Sequence, residues 1–394
     1  MKRDFAISGT TLVLAAALGG ALLTQAACKK SGPDIKIGVI AELSGDISEI
    51  GDACKKAAEL AVTEINEAGG VEVAGTKHLL RLVIEDSQGA AEPVAEAAKR
   101  LIDQEKVLAI VGPNASLGAV PAAQVAAEKK TLLISPWGTA PRVTMDDAGA
   151  PRQWVYRTCF TDAFQGSALA KFAAAYMKAT KAAVLYNPAS EAPKSQAELM
   201  KKEFEGRGGQ FVAFETYATG DKDFSAQWKK IAEAAPDVVF LPAYYGEIPE
   251  QIRQARAAGV KAPFLGSDTW TNSELLKSAA EVDGAFFCAH YNPDAMEDKV
   301  GIFRGAYENR YNKEVPDDGA ALTYDTLYLL KQALETATTD DREAVREAFS
   351  KISSFDGVTG RIVFKGGSPD PVKSVVIKQF KAGKISFVTN IDPD

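Results

Sequence analysis

The chain has 394 residues, which is more than one small domain needs and enough for roughly two or three. Hydrophobic residues make up 46% and charged residues 25%, an ordinary globular composition that excludes a disordered chain, a collagen and a polytopic membrane protein. The formal net charge of −7 argues against nucleic acid as the main partner, because phosphate binding depends on clustered Lys and Arg. The few histidines and the four widely spaced cysteines, with no CxxC pair, do not indicate a metal site.

Residues 1–27 have the pattern of a secretory signal peptide. Lys2 and Arg3 give a cationic start, an uncharged and largely apolar stretch follows, and small residues precede Cys28. A cysteine directly after two alanines resembles a bacterial lipoprotein signal, so we predict lipidation at Cys28 and a linker over residues 28–33. The alternatives are an uncleaved membrane anchor and ordinary cleavage that leaves Cys28 unmodified. In each case the rest of the chain lies outside the cytoplasm.

From residue 35 onward, short apolar runs alternate with stretches of helical periodicity. The first half predicts strands at 35–41, 79–85, 108–111 and 132–135 and helices at 51–68, 91–103 and 121–129. The pattern restarts with strands at 154–158, 183–186, 211–214, 237–241, 264–266 and 285–289 and helices at 164–178, 195–206, 224–234, 250–258 and 273–280. Helices at 299–311, 320–336 and 341–349 then precede terminal strands at 361–364, 374–380 and 385–388. This alternation predicts an α/β fold with two doubly wound parallel sheets, because one sheet would hold more strands than open sheets usually carry.

The loops after the predicted strands are candidates for a ligand site, since open parallel sheets bind ligands beyond the carboxyl ends of their strands. These loops are rich in hydroxyl and aromatic side chains, but they contain neither a G-x-G-x-x-G nor a P-loop motif. The chain also lacks a Gly-x-Ser-x-Gly nucleophile elbow. We therefore expect no cofactor, no metal and no enzymatic activity, although a Ser–Lys or carboxylate-pair mechanism stays open on sequence alone.

Several segments carry a family resemblance. They are residues 35–45, Ile65–Gly70, Glu85–Ser87, Pro136–Pro141, Tyr156–Thr158, Asp221–Phe224 and Ile252–Gly259. In them the chain resembles the bacterial leucine/isoleucine/valine-binding proteins, the substrate-binding proteins of branched-chain amino-acid ABC importers. The resemblance implies a type I periplasmic binding fold, in which two doubly wound parallel-sheet lobes are joined by a three-strand hinge. Residues 34–157 and 290–355 would form lobe 1, and residues 159–288 and 358–394 would form lobe 2.

The same resemblance implies a function. It predicts a monomer in the periplasm or at the cell surface that captures an amino acid, branched-chain or related, between its lobes and delivers it to ABC permease subunits. The lipid on Cys28 would hold this protein at the membrane. The alternative is a two-lobed sensory receptor for amides or aromatic acids, which uses the same fold.

The resemblance also assigns ligand-binding roles. Ser116 and Thr139 match the lobe 1 positions that hold the ligand carboxylate, a role that suits short hydroxyls near helix N-termini. Asp268 matches the lobe 2 carboxylate that holds the ammonium, together with the backbone carbonyl of Trp137, and Tyr244 matches an aromatic residue that closes on the ligand. The residues themselves leave simpler alternatives open: helix N-caps for the two hydroxyls, a turn residue for Asp268, and a core or rim position for Tyr244.

Other positions depart from the family pattern. Ile50 and Glu191 fall where the family usually has an aromatic residue, and Asp325 falls where some members have a pocket tyrosine. Glu191 could pair with a basic or polar ligand tail or face solvent. Trp137 and Trp270 would add bulk to the site. Amino-acid recognition therefore looks retained, while the preferred ligand side chain stays open.

The resemblance places the crossovers that carry Cys159 and Cys288 side by side. Since neighbouring strands bring cysteines within bonding reach and the compartment permits oxidation, we expect a disulfide between these two residues. The alternative is two buried free thiols that pack as small hydrophobic side chains. Cys54 would be left over, free in the first helix.

Overall fold

The computed structural model describes residues 31–45 and 47–392. The predicted signal peptide and Cys28 lie outside these residues. Within the described part, no helix combines the length and the apolar composition that crossing a membrane requires.

The described chain alternates strands and helices in the order that the apolar pattern predicts. The strands are β1 (Ile35–Ala41), β2 (Val71–Val73), β3 (Thr76–His78), β4 (Leu80–Asp86), β5 (Ala109–Val111), β6 (Leu132–Ser135), β7 (Val155–Arg157), β8 (Lys181–Tyr186), β9 (Gln210–Thr216), β10 (Val238–Leu241), β11 (Phe264–Gly266), β12 (Phe286–Ala289), β13 (Ser354–Gly357), β14 (Gly360–Val363), β15 (Val375–Lys381) and β16 (Lys384–Ile391). The helices are α1 (Ser48–Glu67), α2 (Ala91–Asp103), α3 (Ser116–Glu128), α4 (Asp162–Lys171), α5 (Glu191–Gly206), α6 (Ser225–Ala234), α7 (Ile248–Ala257), α8 (Ala279–Val282), α9 (Asp298–Arg310), α10 (Asp318–Thr336) and α11 (Arg342–Ser350).

Lobe 1 is built on a parallel sheet with the strand order β4-β1-β5-β6-β7. Its strands are apolar on both faces because helices cover both faces. Ile37 and Val39 of β1 pack with α1, α10 and α11, whereas Ile40 packs on the opposite side with α2 and α3. This arrangement is a doubly wound lobe, to which the three helices after residue 297 return: α10 and α11 pack on the sheet, and α9 packs on α1.

Lobe 2 is built on a mixed sheet with the order β16-β15-β12-β11-β10-β8-β9. The strands from β12 to β9 run parallel, whereas β15 and β16 are antiparallel additions at one edge. Helices α4 and α5 cover one face, and α6 and α7 cover the other. The sheet is therefore parallel only in part, which refines the predicted parallel-sheet lobe.

The last crossover lies later in the chain than predicted. The resemblance predicts that lobe 2 resumes at residue 358, which would include β14 of the β13–β14 hairpin, but Ile362 and Phe364 pack in the lobe 1 core with Phe349. The chain joins the lobe 2 sheet only at β15, through Val375. The reason is burial, because the apolar side of this hairpin covers the end of the lobe 1 sheet.

Two helices differ from their predicted bounds. Helix α3 begins at Ser116 and contains Pro121, whereas the prediction began the helix at Pro121. A proline inside a helix leaves the carbonyl four residues earlier without its N–H donor, and here that residue is Leu117, which is exposed to solvent. The helix predicted at 273–280 is instead a 3₁₀ segment, Ser273–Ser278, followed by the short α8.

The expected disulfide is not formed, since Cys159 and Cys288 are both buried free thiols, as is Cys54. Cys288 lies in β12, and its partner on the neighbouring antiparallel strand is Ile377. Cys159 follows β7, a strand of the other sheet, and packs in a different apolar cluster from Cys288. The two crossovers therefore do not pair as neighbouring strands, which is why the expectation fails.

Candidate functional site

A cavity lies between the lobes, at the carboxyl ends of strands from both sheets. Counted with the open solvent at its mouth, its empty space is about 360 Å³, and little of that space is enclosed in this arrangement of the lobes. Its lining residues are Ile47, Ile50, Asn114, Ala115, Ser116, Trp137, Thr139, Ala192, Tyr244, Asp268 and Thr269. The structure thus brings together five of the predicted site residues, although their roles toward a ligand stay predictions.

The lobe 1 side presents the first turn of α3. Ala115 is the N-cap of this helix and Ser116 its first residue, so neither Ser116 nor Thr139 caps α3. The Ser116 hydroxyl instead accepts a hydrogen bond from the backbone N–H of Ala140 at 3.2 Å. Because this bond ties the α3 N-terminus to the loop after β6, it brings Ser116 and Thr139 to the same wall.

Glu42 is a buried carboxylate behind this wall that sequence reasoning did not single out. It accepts hydrogen bonds from the backbone N–H of Asn114 at 3.1 Å and of Ala115 at 2.9 Å, and from the Asn114 side-chain amide at 3.1 Å. Burial raises the pKa of Glu42, although these hydrogen bonds oppose the shift. A signal was present, because Glu42 follows β1 directly at the carboxyl end of the sheet.

The turn at Glu42 needs a glycine in the facing helix. A Cβ atom at Gly51 of α1 would lie 2.1 Å from the Glu42 carbonyl oxygen, a distance that no side chain tolerates. Helix α1 therefore packs directly on this turn. Glu42 holds the side-chain amide of Asn114, whose Oδ1 atom is buried at the cavity wall without a hydrogen-bond partner in the described part of the chain.

Asp268 provides the lobe 2 side of the cavity and is bonded by side chains from both lobes. Its Oδ2 atom accepts from Trp137 Nε1 at 2.7 Å and lies 3.1 Å from His290 Nε2, while Oδ1 accepts from Gln196 Nε2 at 3.2 Å. Its backbone N–H donates to Gln165 at 2.8 Å. Burial raises the pKa of Asp268 to about 6, although the Trp137 donor and other hydrogen bonds oppose the shift.

His290 is a second residue that sequence reasoning missed. It is fully buried at the crossover after β12, and its ring stacks on Phe160 with centroids 3.6 Å apart. Its backbone N–H donates to the Asp318 carboxylate. Burial lowers the pKa of His290 well below its usual value, so the ring is neutral and its contact with Asp268 places the proton on Nε2.

The remaining walls are largely apolar. Ile47 and Ile50 come from the start of lobe 1, and Ala192 comes from α5 of lobe 2. Tyr244 adds a half-buried ring, and desolvation together with the nearby Asp268 carboxylate raises the pKa of its phenol, which keeps it protonated. The cavity therefore combines hydroxyls and a helix N-terminus, a carboxylate, and an apolar lining.

Two predicted site residues lie outside the cavity. Glu191 is the first residue of α5, and its carboxylate lies 3.5 Å from Arg142 Nη1 at the rim between the lobes. Trp270 is fully buried in the lobe 2 core, where its indole N–H donates to the Leu241 carbonyl at 2.9 Å. Thr269 lines the cavity in its place because the chain turns in a 3₁₀ segment after β11.

Asp325, the other departure from the family pattern, also lies away from the cavity. Its carboxylate accepts from the backbone N–H of Val358 at 2.7 Å and of Thr359 at 2.9 Å. It therefore fastens the β13–β14 hairpin to α10.

The fold and the interlobe cavity define a two-lobed solute-binding protein, and the family comparison agrees. Residues 34–384 match the periplasmic binding protein family, and the chain belongs to that family. Among relatives, a Leu/Ile/Val-binding protein homolog from Brucella melitensis is 29% identical, over 89% of this chain and 93% of the relative. A leucine-, isoleucine-, valine-, threonine- and alanine-binding protein from Pseudomonas aeruginosa is 28% identical, over 84% of this chain and 85% of the relative.

Solved structures show the same fold. A leucine-binding protein, LivK, from Thermotoga maritima has a TM-score of 0.83 and 33% identity, over 91% of this chain and 99% of that one. The branched-chain amino-acid transporter substrate-binding protein LivJ from Streptococcus pneumoniae, in complex with isoleucine, has a TM-score of 0.82 and 29% identity, over 91% and 100% of the two chains. A Rhodopseudomonas palustris solute-binding protein in complex with benzoate has a TM-score of 0.79 at 24% identity, and this likeness concerns the fold alone.

Proposed function

We propose that this protein is the extracytoplasmic solute-binding component of an ABC importer and that it captures a free aliphatic amino acid, branched-chain or related, between its lobes. The observation that carries the proposal is the pairing of Asp268 with the Ser116–Thr139 wall across one small cavity. A carboxylate on one side and hydroxyls beside a helix N-terminus on the other complement the two charges of an amino-acid zwitterion. Its family consists of solute-binding components, and the protein is not an enzyme.

The polar contacts would divide between the two ends of the ligand. The ammonium group would lie against Asp268 and the buried Oδ1 of Asn114, both of which accept hydrogen bonds. The carboxylate would lie against Ser116 and Thr139. The ligand side chain would contact Ile47 and the other apolar walls. A relative's complex with isoleucine supports a ligand of the size of a branched-chain amino acid.

Ligand-induced stabilisation tests the proposal, because a ligand that binds only the folded state raises the melting temperature. We expect leucine, isoleucine or valine to raise the Tm of the mature protein. The matched controls are 4-methylpentanoate and 3-methylbutylamine, which each lack one of the two charged groups of leucine and should have little effect. Stabilisation by benzoate or by amides, with no response to any amino acid, would overturn the proposal and favour the two-lobed sensory receptor.

We also propose that the protein acts as a monomer and is tethered to the membrane by lipid on Cys28. The family resemblance supports the monomer. The small residues before Cys28 support the lipid anchor. Mass spectrometry of the native protein should find an N-terminal Cys28 with added acyl mass, and Cys28→Ser should release the protein from the membrane fraction. An intact leader or an unmodified Cys28 would exclude the anchor.

A further inference from the structure

The indole of Trp137 forms part of the cavity wall and is held from several directions. It is 8% exposed, it lines the cavity, and its N–H donates across the lobe boundary to Asp268 at 2.7 Å. Its ring meets the His290 ring edge to face, with centroids 6.2 Å apart and planes at 89°. The hydrogen bond and the ring contact together fix the orientation of the indole.

The benzene edge of the same ring packs against Gly319, where any larger residue would collide with it. A Cβ atom at Gly319, in the first turn of α10, would lie 3.0 Å from Trp137 Cε3 and 3.1 Å from Cζ3. The same Cβ would lie 2.9 Å from Cys54 Sγ of α1. Contacts this short force a neighbour to move, and since Cys54 is fully buried, the indole has no room on that side.

The open side of the indole therefore faces the ligand space. Ile50 packs in the same apolar cluster as Trp137 and lines the cavity with it. Ser116 and Asp268 stand at the polar walls, so the surfaces left for a ligand side chain are the indole, the two isoleucines, Ala192 and Tyr244. Because the Trp137 indole cannot move toward Gly319, it limits the volume of that side chain.

We infer that Trp137 is the specificity-determining residue of the cavity. Gly319 fixes the position of the Trp137 indole and thereby the largest ligand side chain that fits. This inference rests on the proposed amino-acid site. The ligand class is then aliphatic amino acids with side chains up to the size of leucine, and aromatic amino acids are excluded by the indole. Gly319 acts as a positioning residue, since it does not line the cavity.

Calorimetry with alanine, valine, leucine and phenylalanine tests this assignment on the wild type and on variants. Trp137→Leu should open the cavity and shift the ratio of phenylalanine to leucine affinity upward by at least about tenfold, the effect of adding or removing a few carbons in an apolar pocket. Trp137→Phe keeps an aromatic ring and should shift the ratio in the same direction by less. If both variants keep the wild-type ratio of phenylalanine to leucine affinity, Trp137 does not determine specificity.

Gly319→Ala provides the opposite change. The added methyl group should press the indole into the cavity, so leucine affinity should fall by about tenfold while alanine affinity changes little. Gly305→Ala on α9 is the matched control, because a Cβ there meets nothing within 4 Å. An equal loss for leucine and alanine in Gly319→Ala would mean a general disturbance and would contradict the positioning role.

The two proposals fail in different ways. If the folded wild-type protein binds none of the four amino acids, the proposed function is wrong. If the wild type binds leucine and the Trp137 variants show no change in preference, only the specificity assignment is wrong. Circular dichroism and the Tm of each variant establish that the measured protein is folded.

Discussion

Asp268 shows how much of this site depends on a single buried carboxylate. Trp137, His290 and Gln196 all direct N–H groups at it, and such donors offset part of the effect of burial, which raises its pKa. Such preorganisation lowers the cost of binding because the donors need no rearrangement. It also leaves one carboxylate as the counter-charge for a ligand ammonium group at this wall.

Replacing Asp268 by Asn tests this role without changing the size of the side chain. An amide cannot balance an ammonium charge, and we expect leucine affinity to fall by roughly 2–5 kcal/mol, the cost of leaving a buried charge unpaired. Glu191→Gln is the control, since its rim contact with Arg142 is partly exposed and such pairs contribute less than about 1 kcal/mol. Calorimetry that finds equal affinities for Asp268→Asn and the wild type would remove Asp268 from the site.

The raised pKa of Asp268 predicts a pH dependence of binding. The pKa is about 6, so the carboxyl is charged above that pH and is protonated below it. Affinity for an amino acid should therefore be constant near pH 8 and should fall by about tenfold per pH unit well below pH 6. Burial lowers the pKa of His290 well below its usual value, so its protonation is not the cause of a fall that begins near pH 6.

Two other buried carboxyl groups face the same region, and their titration must be distinguished from that of Asp268. Burial raises the pKa of Asp162 to about 7, and it also raises the pKa of Glu42. The profile of Asp268→Asn distinguishes them: its acid limb should flatten. If the loss of affinity below pH 6 persists in this variant, Asp162 or Glu42 is responsible.

At the scale of elements, Arg157 holds the loop after β6 that carries Trp137 and Thr139. Its fully buried guanidinium donates to the carbonyls of Gly138 and Ala140, the latter at 3.0 Å. Its Nε also pairs with Asp370 at 2.7 Å, in the last connection between the lobes. One side chain at the end of β7 thus fastens the site loop to the hinge.

Arg157→Lys should therefore weaken both the fold and the site. Lysine carries the charge but lacks the planar fork that reaches several acceptors. We expect the free energy of unfolding to fall by roughly 1–3 kcal/mol, the cost of leaving buried acceptors unsatisfied, and leucine affinity to fall with it. Arg253→Lys, whose pair with Glu250 is exposed, is the control for both measurements. Unchanged denaturation and unchanged affinity in Arg157→Lys would show that the loop keeps its conformation without this clamp.

At the scale of the whole molecule, the lobes meet in a closed arrangement. Besides the Trp137–Asp268 hydrogen bond, the Tyr245 hydroxyl of lobe 2 donates to Glu49 in the first turn of α1. The backbone N–H of Asp162 donates to the Thr139 carbonyl at 3.0 Å. These contacts surround the cavity, so a ligand enters only when the lobes separate by bending at the crossovers.

Tyr245→Phe should shift the balance toward the open form. The loss of a hydrogen bond to a carboxylate removes roughly 1.5–3 kcal/mol from the closed arrangement. Small-angle scattering should find a larger radius of gyration for the ligand-free variant than for the ligand-free wild type, and saturating leucine should compact both. Tyr176→Phe, on the exposed surface of lobe 2, should match the wild type. An identical radius for Tyr245→Phe and the wild type without ligand would show that this contact does not control closure.

The sequence by itself determined the doubly wound lobes and the loops that form the site. Alternating apolar runs specify buried strands and covering helices, and parallel strands bring Ser116, Thr139 and Asp268 to the carboxyl edges of their sheets. These features depend on periodicity and on chain order, which are local properties. The loops in which the family resemblance placed the site residues therefore do line one cavity.

Only the tertiary structure decided which side chains face that cavity. Glu42 meets Ala115 because β1 and β5 lie side by side in the lobe 1 sheet, and His290 meets Asp268 because the crossover after β12 lies beside the loop after β11. Trp270 turns into the lobe 2 core although it stands two residues from Asp268. Likewise, the free thiols and the lobe assignment of the β13–β14 hairpin depend on which sheet each segment covers. Side-chain direction and long-range packing follow from contacts between segments far apart in the chain, and no local pattern encodes them.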